Sequence, residues 1–460
     1  MTATDDIAQP EPGPRAARGG EHTAIVLYGS RGDIQPGICL ALEMQRRAQR
    51  VTLLAPPNLV DLATAAGVKC VNGVGLDEHR AWSSAEATAA EKSRDPLARI
   101  RFALATIRAG FAALDDDLIA AFLAPDGPLA DVDAIVAAPL CQDRGRTIAE
   151  RLAIPLVVLR YGPLSENGVV GPIPGLCSWW PAAWKRLSWR AVDRLTWMAT
   201  GWNENAFRRR IGLQRERGPL PRRLRRSDAL QIQAFDAVLF PGLTSEWGHL
   251  KPVTGFLDLP PESRAALDES NTDSADLVEW LADGDPPVFI TFGSMSRRDR
   301  NAVISILRAA VRRAGLRCLV AGTATIGVDS DDRGVYGVAA VDHSFVLPRC
   351  AAAVHHGGAG TTAAVLRAGL PMLICAVTAD QPVWAHAVAA SGAAVATRVS
   401  FVNERTVDAL LHSTLMPQIR QAAESLAEGM VASDAAVAAA ADLVETRLRR
   451  RAAAACATER

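Results

Sequence analysis

Short apolar runs of four or five residues alternate with helical patterns along most of this chain, and that alternation restricts the fold more than any other feature. Ala24–Tyr28 reads as a buried strand, followed by a helix from about Pro36 to Arg47. Val51–Ala55 reads as a second strand, followed by a helix over Leu59–Ala66. Ala134–Ala138 and Leu156–Leu159 repeat the unit around a helix near Thr147–Leu152, and Ala237–Phe240 closes the first series. The second series has strands at Val288–Thr291, Arg317–Val320, Ala352–His355 and Met372–Cys375, with helices near Ala302–Ala314, Thr361–Ala368 and Val383–Ser391. Strands that alternate with helices make a parallel sheet covered on both faces. The expected fold is therefore α/β, with two doubly wound domains at 21–250 and 266–430 and a linker at 251–265. A last helix over Ala435–Arg451, with Asp434 at its start, lies within a C-terminal helix and tail at 431–460. Residues 1–20 are polar and rich in Pro and Gly, and read as a disordered tail without the apolar core of a signal peptide.

Composition removes several function classes. Lys plus Arg total 50 and Asp plus Glu total 50, so no basic surplus exists to neutralise phosphates, which argues against nucleic acid as the main partner. Eight cysteines occur without a single CxxC pair, so neither a zinc knuckle nor a redox motif is indicated. Cys39 and Cys375 lie in apolar runs and read as buried thiols, which fits a reducing, cytoplasmic setting. No run of about 18–20 uncharged apolar residues is present, so no membrane span is expected.

The alternation breaks between Trp179 and Arg226, which hold six of the ten tryptophans and many arginines. One reading is helices with snorkelling arginines packed on the first domain. The other is an acceptor pocket or a peripheral membrane contact, because Trp and Arg suit the boundary between apolar and wet phases.

Open parallel sheets bind ligands beyond the carboxyl ends of their strands, so the turns there matter most. His355-His356-Gly357-Gly358-Ala359-Gly360-Thr361 follows an apolar strand and opens a helix. Small residues let backbone N–H groups approach an anion, and a helix N-terminus favours negative charge. Neither a Gly-Lys-Ser/Thr P-loop nor the GxGxxG dinucleotide spacing is present. Gly29-Ser30-Arg31-Gly32-Asp33-Ile34-Gln35-Pro36 follows the first strand. Asp33 is either the N-cap of the next helix, with Pro36 in its first turn, or a general base facing the cleft. Gly293 and Ser294 sit in a third turn, a weaker candidate that offers backbone donors and a hydroxyl. Asp380 and Gln381 precede a helix and either cap it or grip vicinal hydroxyls.

Taken in order, GSRGDIQP, PVTGF, FGSM and HHGGAGTTAAVLRAGLP…ADQP resemble the GT-B glycosyltransferases of the UDP-glycosyltransferase superfamily. The nearest subgroup contains sterol glucosyltransferases, glycopeptide-antibiotic glycosyltransferases and actinobacterial glycolipid glycosyltransferases. The resemblance spans roughly residues 22–430 and implies two Rossmann-like domains facing across a cleft, with the C-terminal helix crossing back. It implies transfer of a hexose, with inversion, from a UDP- or dTDP-linked sugar to a hydroxyl of a lipophilic or natural-product acceptor. The nucleotide sugar is then a co-substrate, and no other cofactor and no metal is expected, since no DxD-type pair stands in a matching turn.

Residue by residue, His356, with His355 beside it, matches the histidine at the donor diphosphate. Gly358, Ala359, Gly360 and Thr361 match the backbone cradle, with Gly293 and Ser294 nearby. Asp380 and Gln381 match the pair that holds sugar hydroxyls, and Phe345 and Val346 lie where family members present backbone and an apolar surface to the base. Asp33 matches the proposed general base of the subgroup, and Ser30, Arg31 and Gly32 beside it are expected to bind the donor. Two departures stand out. Ala364 occupies the place of a ribose-binding glutamate in plant and animal relatives, which leaves uridine or thymidine open. Cys375-Ala376-Val377-Thr378 replaces a Pro-aromatic stretch, which leaves the sugar open. A catalytically inactive helper of the same fold and a nucleotide-sugar epimerase are the alternative readings.

Overall fold

Each apolar run named above forms or overlaps a strand, with one exception. The computed structural model describes residues 21–77, 96–173, 175, 178–267, 275–293, 297–322, 327–329, 333–378 and 380–458. The expected tail at 1–20 and Ser294 lie outside the described residues. The first sheet contains β1 (His22–Val26), β2 (Arg50–Ala55), β3 (Val71–Gly73), β4 (Ala134–Ala137), β5 (Leu156–Arg160) and β6 (Leu230–Gln233). All are parallel, in the order β3-β2-β1-β4-β5-β6. The second contains β7 (Val288–Thr291), β8 (Cys318–Ala321), β9 (Gly327–Val328), β10 (Val335–Val338), β11 (Ala352–His355), β12 (Met372–Ala376) and β13 (Ala394–Arg398). Its order is β13-β12-β11-β7-β8-β10-β9, parallel except for the β9 edge.

The exception is Ala237–Phe240, which was expected to close the first series as a strand. Ala237–Leu239 is instead a short 3-10 turn, and the closing strand is Leu230–Gln233. Its sequence, LQIQ, alternates polar and apolar residues although all four are buried. Gln233 Nε2 donates to the Gln231 carbonyl at 2.9 Å, which satisfies the amide nitrogen, while Gln233 Oε1 is buried without a hydrogen-bond partner among the described residues.

Nine helices matter below: α1 (Arg31–Arg46), α2 (Pro96–Leu123), α3 (Gln142–Arg151), α4 (Ala182–Arg210), α5 (Leu220–Arg226), α6 (Arg297–Arg313), α7 (Ala359–Arg367), α8 (Gln381–Ala390) and α9 (Ser433–Thr458). The tryptophan-rich break resolves into α4 and α5. Arg208 and Arg223 lie on their inner faces, where Arg208 pairs with Glu150 and Arg223 with Glu204 and Asp143. Buried arginines need such partners, because an unpaired buried charge is costly.

The C-terminal helix returns to the first sheet. Ala436, Val437, Ala440, Ala441, Val444 and Leu448 recur at helical spacing and share one core with Ile34 and Ile38 of α1. Arg47 anchors the contact through Asp442 and Glu445. A second tie crosses between the two sheets. Trp384 on α8 is fully buried, and its ring lies 5.3–6.1 Å from those of Phe235, Phe240 and Phe256.

Strand order reverses between β1 and β4 in one sheet and between β7 and β11 in the other. Helices on the two sides of a reversal diverge and leave a crevice at the strands' carboxyl ends. His355 pairs in register with Thr291, so β7 and β11 end level and their turns emerge side by side.

Candidate functional site

The turn after β1 is shaped around a carboxylate. Gly29 has φ +119°, and a Cβ there would stand 2.6 Å from Asp33 Oδ2. Ser30 N and Ser30 Oγ each donate to that oxygen at 2.8 Å. Ser30, not Asp33, is the N-cap of α1, and Asp33 closes a capping box from the third helical position. The helix begins at Arg31, five residues ahead of the expected start at Pro36, and carries Pro36 inside it. Oδ2 is thereby committed to the turn, and Oδ1 is left for other partners.

Opposite, the turn after β11 is shaped around an imidazole. A Cβ on Gly358 would stand 2.7 Å from His356 Nε2, and one on Gly293 would stand 3.0 Å from His356 Cε1. Only glycine backbone flanks the ring on these two sides. Burial lowers the His356 pKa, against an opposing hydrogen-bond effect from the Thr291 backbone. The ring is therefore neutral near pH 7, and its Nδ1 is buried without a hydrogen-bond partner. Gly358 caps α7 without a side chain, so the first-turn N–H groups have no side-chain cap.

A third turn completes the arrangement. Asp380 Oδ2 accepts from Trp384 Nε1 at 2.8 Å, which fixes the carboxylate to the tryptophan that joins the two sheets. Burial raises the Asp380 pKa; the Trp384 bond opposes the rise and the charge of Asp33 adds to it. Gln381 Oε1 accepts from the Val377 and Thr378 backbone, which leaves its amide hydrogens for a ligand.

One cavity of about 1220 Å³ receives all three turns. Ser30, Arg31, Gly32, Asp33, Gly293, His356, Gly358, Ala359, Gly360, Thr361, Asp380 and Gln381 line it. Single-ligand pockets are typically about 300–1,000 Å³, so this one has room for two substrates.

Three expected residues are placed elsewhere. His355 is fully buried; its Nδ1 accepts from Gly357 N at 3.1 Å, and it belongs to the turn's internal support. Val346 is fully buried, and Phe345 packs beneath the Arg349 guanidinium at 4.1 Å. Val341, Asp342, His343 and Ser344 line the cavity in their stead. The short helix at His343–Val346 buries Val346, an orientation that residue type does not reveal.

The sequence reading missed Tyr161, Asp258, Arg264 and Arg367. All four line the cavity. Arg264 lies 3.4 Å from Asp258 and 3.5 Å from Asp342, and Arg367 lies 3.6 Å from Asp258. This ion cluster joins the connector to the second sheet's helices. Charged residues on a connector read as solvated surface, and no spacing marked them. The Tyr161 hydroxyl is buried and has no hydrogen-bond partner. Among the described residues, no group of three or more His, Cys, Asp or Glu is placed to hold a metal ion.

The neutral histidines carry a pH prediction. Burial pushes the His355 pKa down to about 3, against about 6.5 when unfolded. Between these values the unfolded chain takes a proton that the native ring refuses. Stability is therefore full above about pH 6.5 and falls as pH drops, by about 1.4 kcal/mol per pH unit from this group. Urea unfolding at pH 7 and pH 5 should show a smaller difference for His355→Gln than for the wild type. Equal differences would mean that the native ring accepts the proton.

With this geometry established, comparison with known proteins gives three levels of likeness. Residues 325–446 match the family model described as erythromycin biosynthesis protein CIII-like, C-terminal domain. An uncharacterised glycosyltransferase of Mycobacterium tuberculosis is 37% identical over 439 residues, covering 93% of this chain and 99% of the relative. A sterol 3-beta-glucosyltransferase of Arabidopsis thaliana is 29% identical over 437 residues, covering 89% of this chain and 63% of that protein. Among solved structures, the glycosyltransferase VinC in complex with dTDP superposes with a TM-score of 0.57 at 20% identity, covering 93% of this chain and all of the other. That last likeness concerns the fold alone.

Proposed function

Because the chain belongs to the GT-B glycosyltransferases of the UDP-glycosyltransferase superfamily, we propose that it transfers a hexose, with inversion, from a UDP- or dTDP-linked donor to a hydroxyl of a lipophilic or natural-product acceptor. The observation that carries this reading is the shared cavity, which sets Asp33 on one sheet against His356, the α7 N-terminus and Asp380 on the other. The sterol 3-beta-glucosyltransferase, 29% identical, supports it.

In this reading residues 21–250 hold the acceptor and residues 266–430 hold the donor. The acceptor hydroxyl lies against Asp33 Oδ1. A bond forms between its oxygen and the sugar C1 as the bond from C1 to the diphosphate breaks. Asp33 takes the hydroxyl proton. Negative charge that grows on the departing diphosphate meets the first-turn N–H groups of α7 and the His356 ring. Preorganised donors of this kind commonly supply the largest share of catalysis, since they need no reorganisation during the reaction. Asp380 and Gln381 grip sugar hydroxyls, with the Gln381 amide donating and the free Asp380 oxygen accepting.

A donor screen tests the proposal. UDP- or dTDP-sugars should raise the melting temperature by mass action, and the stabilising donor should then be consumed with a lipophilic acceptor present. Stabilisation by no nucleotide sugar would end this reading. A product that is an epimer of the donor, with no glycosyl transfer, would end it as well.

Gly29→Ala probes the turn without touching the carboxylate. The new methyl meets Asp33 Oδ2 in a left-handed backbone conformation, so Asp33 must move. A reacting group displaced by about 1 Å costs roughly 10²-fold in rate, which an assay of turnover would read. Wild-type turnover in this variant would mean that the position of Asp33 does not matter.

A further inference from the structure

We infer that the outer face of α4 seats this enzyme on a bilayer surface that carries anionic lipid. The helix is half-used by the fold. Its inner face buries Lys185, Trp189, Glu204, Phe207 and Arg208. On its outer face Trp184, Leu187, Ala191, Leu195, Met198 and Trp202 recur every three or four residues and are all exposed. Trp184 is 60% exposed, Leu195 63% and Met198 70%, values that water does not favour for side chains of this size. The positions form one stripe about 27 Å long at 1.5 Å per residue.

The stripe is continuous with the cavity along the chain. Tyr161 lines the cavity at the end of β5. From there the chain passes exposed Leu164, Ile173 and Trp179 before α4 begins. Exposed apolar side chains thus occur on the segment between the cavity and the stripe.

Charge singles out the occupant. Residues 182–226 contain thirteen Lys and Arg against three Asp and Glu, in a chain whose totals are 50 and 50; Lys185 is buried, and Arg186, Arg190, Arg208, Arg210, Arg223 and Arg225 are ion-paired, mostly with carboxylates of other segments. Arg194, Arg209, Arg222 and Arg226 are exposed, and none pairs with a carboxylate among the described residues. Apolar side chains with tryptophan, bordered by unpaired arginines, match the boundary between acyl chains and negative headgroups. A nucleic acid would satisfy the arginines but would leave Leu195 and Met198 in water. A second copy of this chain would set like charge against like.

The inference deepens the lipophilic-acceptor reading and rests on it: an enzyme whose acceptor dissolves in lipid meets it at such a surface. Sedimentation with phosphatidylcholine vesicles, with and without phosphatidylserine, tests it. The wild-type protein should sediment with the anionic vesicles and be released by salt. W184E/L195E/M198E should abolish sedimentation. R194E/R209E should weaken it by at least roughly fivefold per arginine. Both variants should keep the wild-type melting temperature and nucleotide affinity, which shows that they fold. A wild-type protein that stays in solution with anionic vesicles overturns the inference, as do variants that sediment like the wild type. A dimer seen by sedimentation equilibrium and dissolved by W184E, without vesicle binding, would assign the face to a second copy and overturn it too. Nucleotide calorimetry reads the donor site separately, so failure of the proposed function and failure of this inference are distinguishable.

Discussion

Asp33→Ala should lower kcat by about 10²–10⁴-fold, the usual worth of a positioned general base, and leave donor affinity essentially unchanged. The asymmetry follows from where the group sits. Asp33 is on the turn after β1, whereas the α7 N-terminus, His356 and Asp380 belong to the opposite sheet's turns. Removing the carboxylate also frees Ser30 N and Ser30 Oγ, which both donate to Oδ2. Loss of a cap costs about 1 kcal/mol, so the alanine variant alone confuses a base with a cap. Asp33→Asn separates the two. An asparagine oxygen still accepts from Ser30 but takes no proton from the acceptor, so this variant should keep stability and lose turnover. Turnover at the wild-type level in Asp33→Asn would remove Asp33 as the base.

His356→Ala should weaken binding of UDP or dTDP in calorimetry and lower kcat by about 10²–10³-fold, the range for loss of one donor to a developing oxyanion. The ring lies against Gly358, the N-cap of α7, and against Gly293 at the end of β7. Its removal takes away a buried neutral donor and leaves a gap between two glycine turns. In the proposed reading both losses fall on the diphosphate, because Gly358, Ala359 and Gly360 line the same cavity as His356. Tight nucleotide binding in this variant would contradict the assignment of His356. The two variants together should behave differently in kind, one losing turnover alone and the other losing nucleotide affinity as well.

Strands made almost wholly of apolar residues, VFIT at Val288–Thr291 and AAVH at Ala352–His355, were legible because a short apolar run bounded by turns fits a buried strand, although the same signal misplaced a strand at Ala237–Phe240. Strands that mix polar residues were not. LQIQ at Leu230–Gln233 and AVATR at Ala394–Arg398 pass for loop or exposed edge until their neighbours are known. The helix start before Pro36 was hidden for a similar reason. Proline usually marks a first turn, yet the Ser30–Asp33 capping box starts this helix five residues earlier.

What the amino-acid order decided by itself is local. Glycines at 29, 293 and 358 permit the turns, small residues open α7, and Asp33, His356 and Asp380 each follow a strand. These are short-range consequences of backbone sterics and side-chain size, so they need no partner to be read. Only the tertiary structure decided which of two adjacent histidines faces the cavity. His355 ends β11 and is fully buried, while His356 lies in the turn beyond the strand and lines the cavity. It alone brought Tyr161, Asp258, Arg264 and Arg367 to the same cavity, since they come from separate segments joined by strand order and by the Trp384 contact. Long-range placement of this kind depends on the packing of two sheets, and no spacing along the chain encodes it.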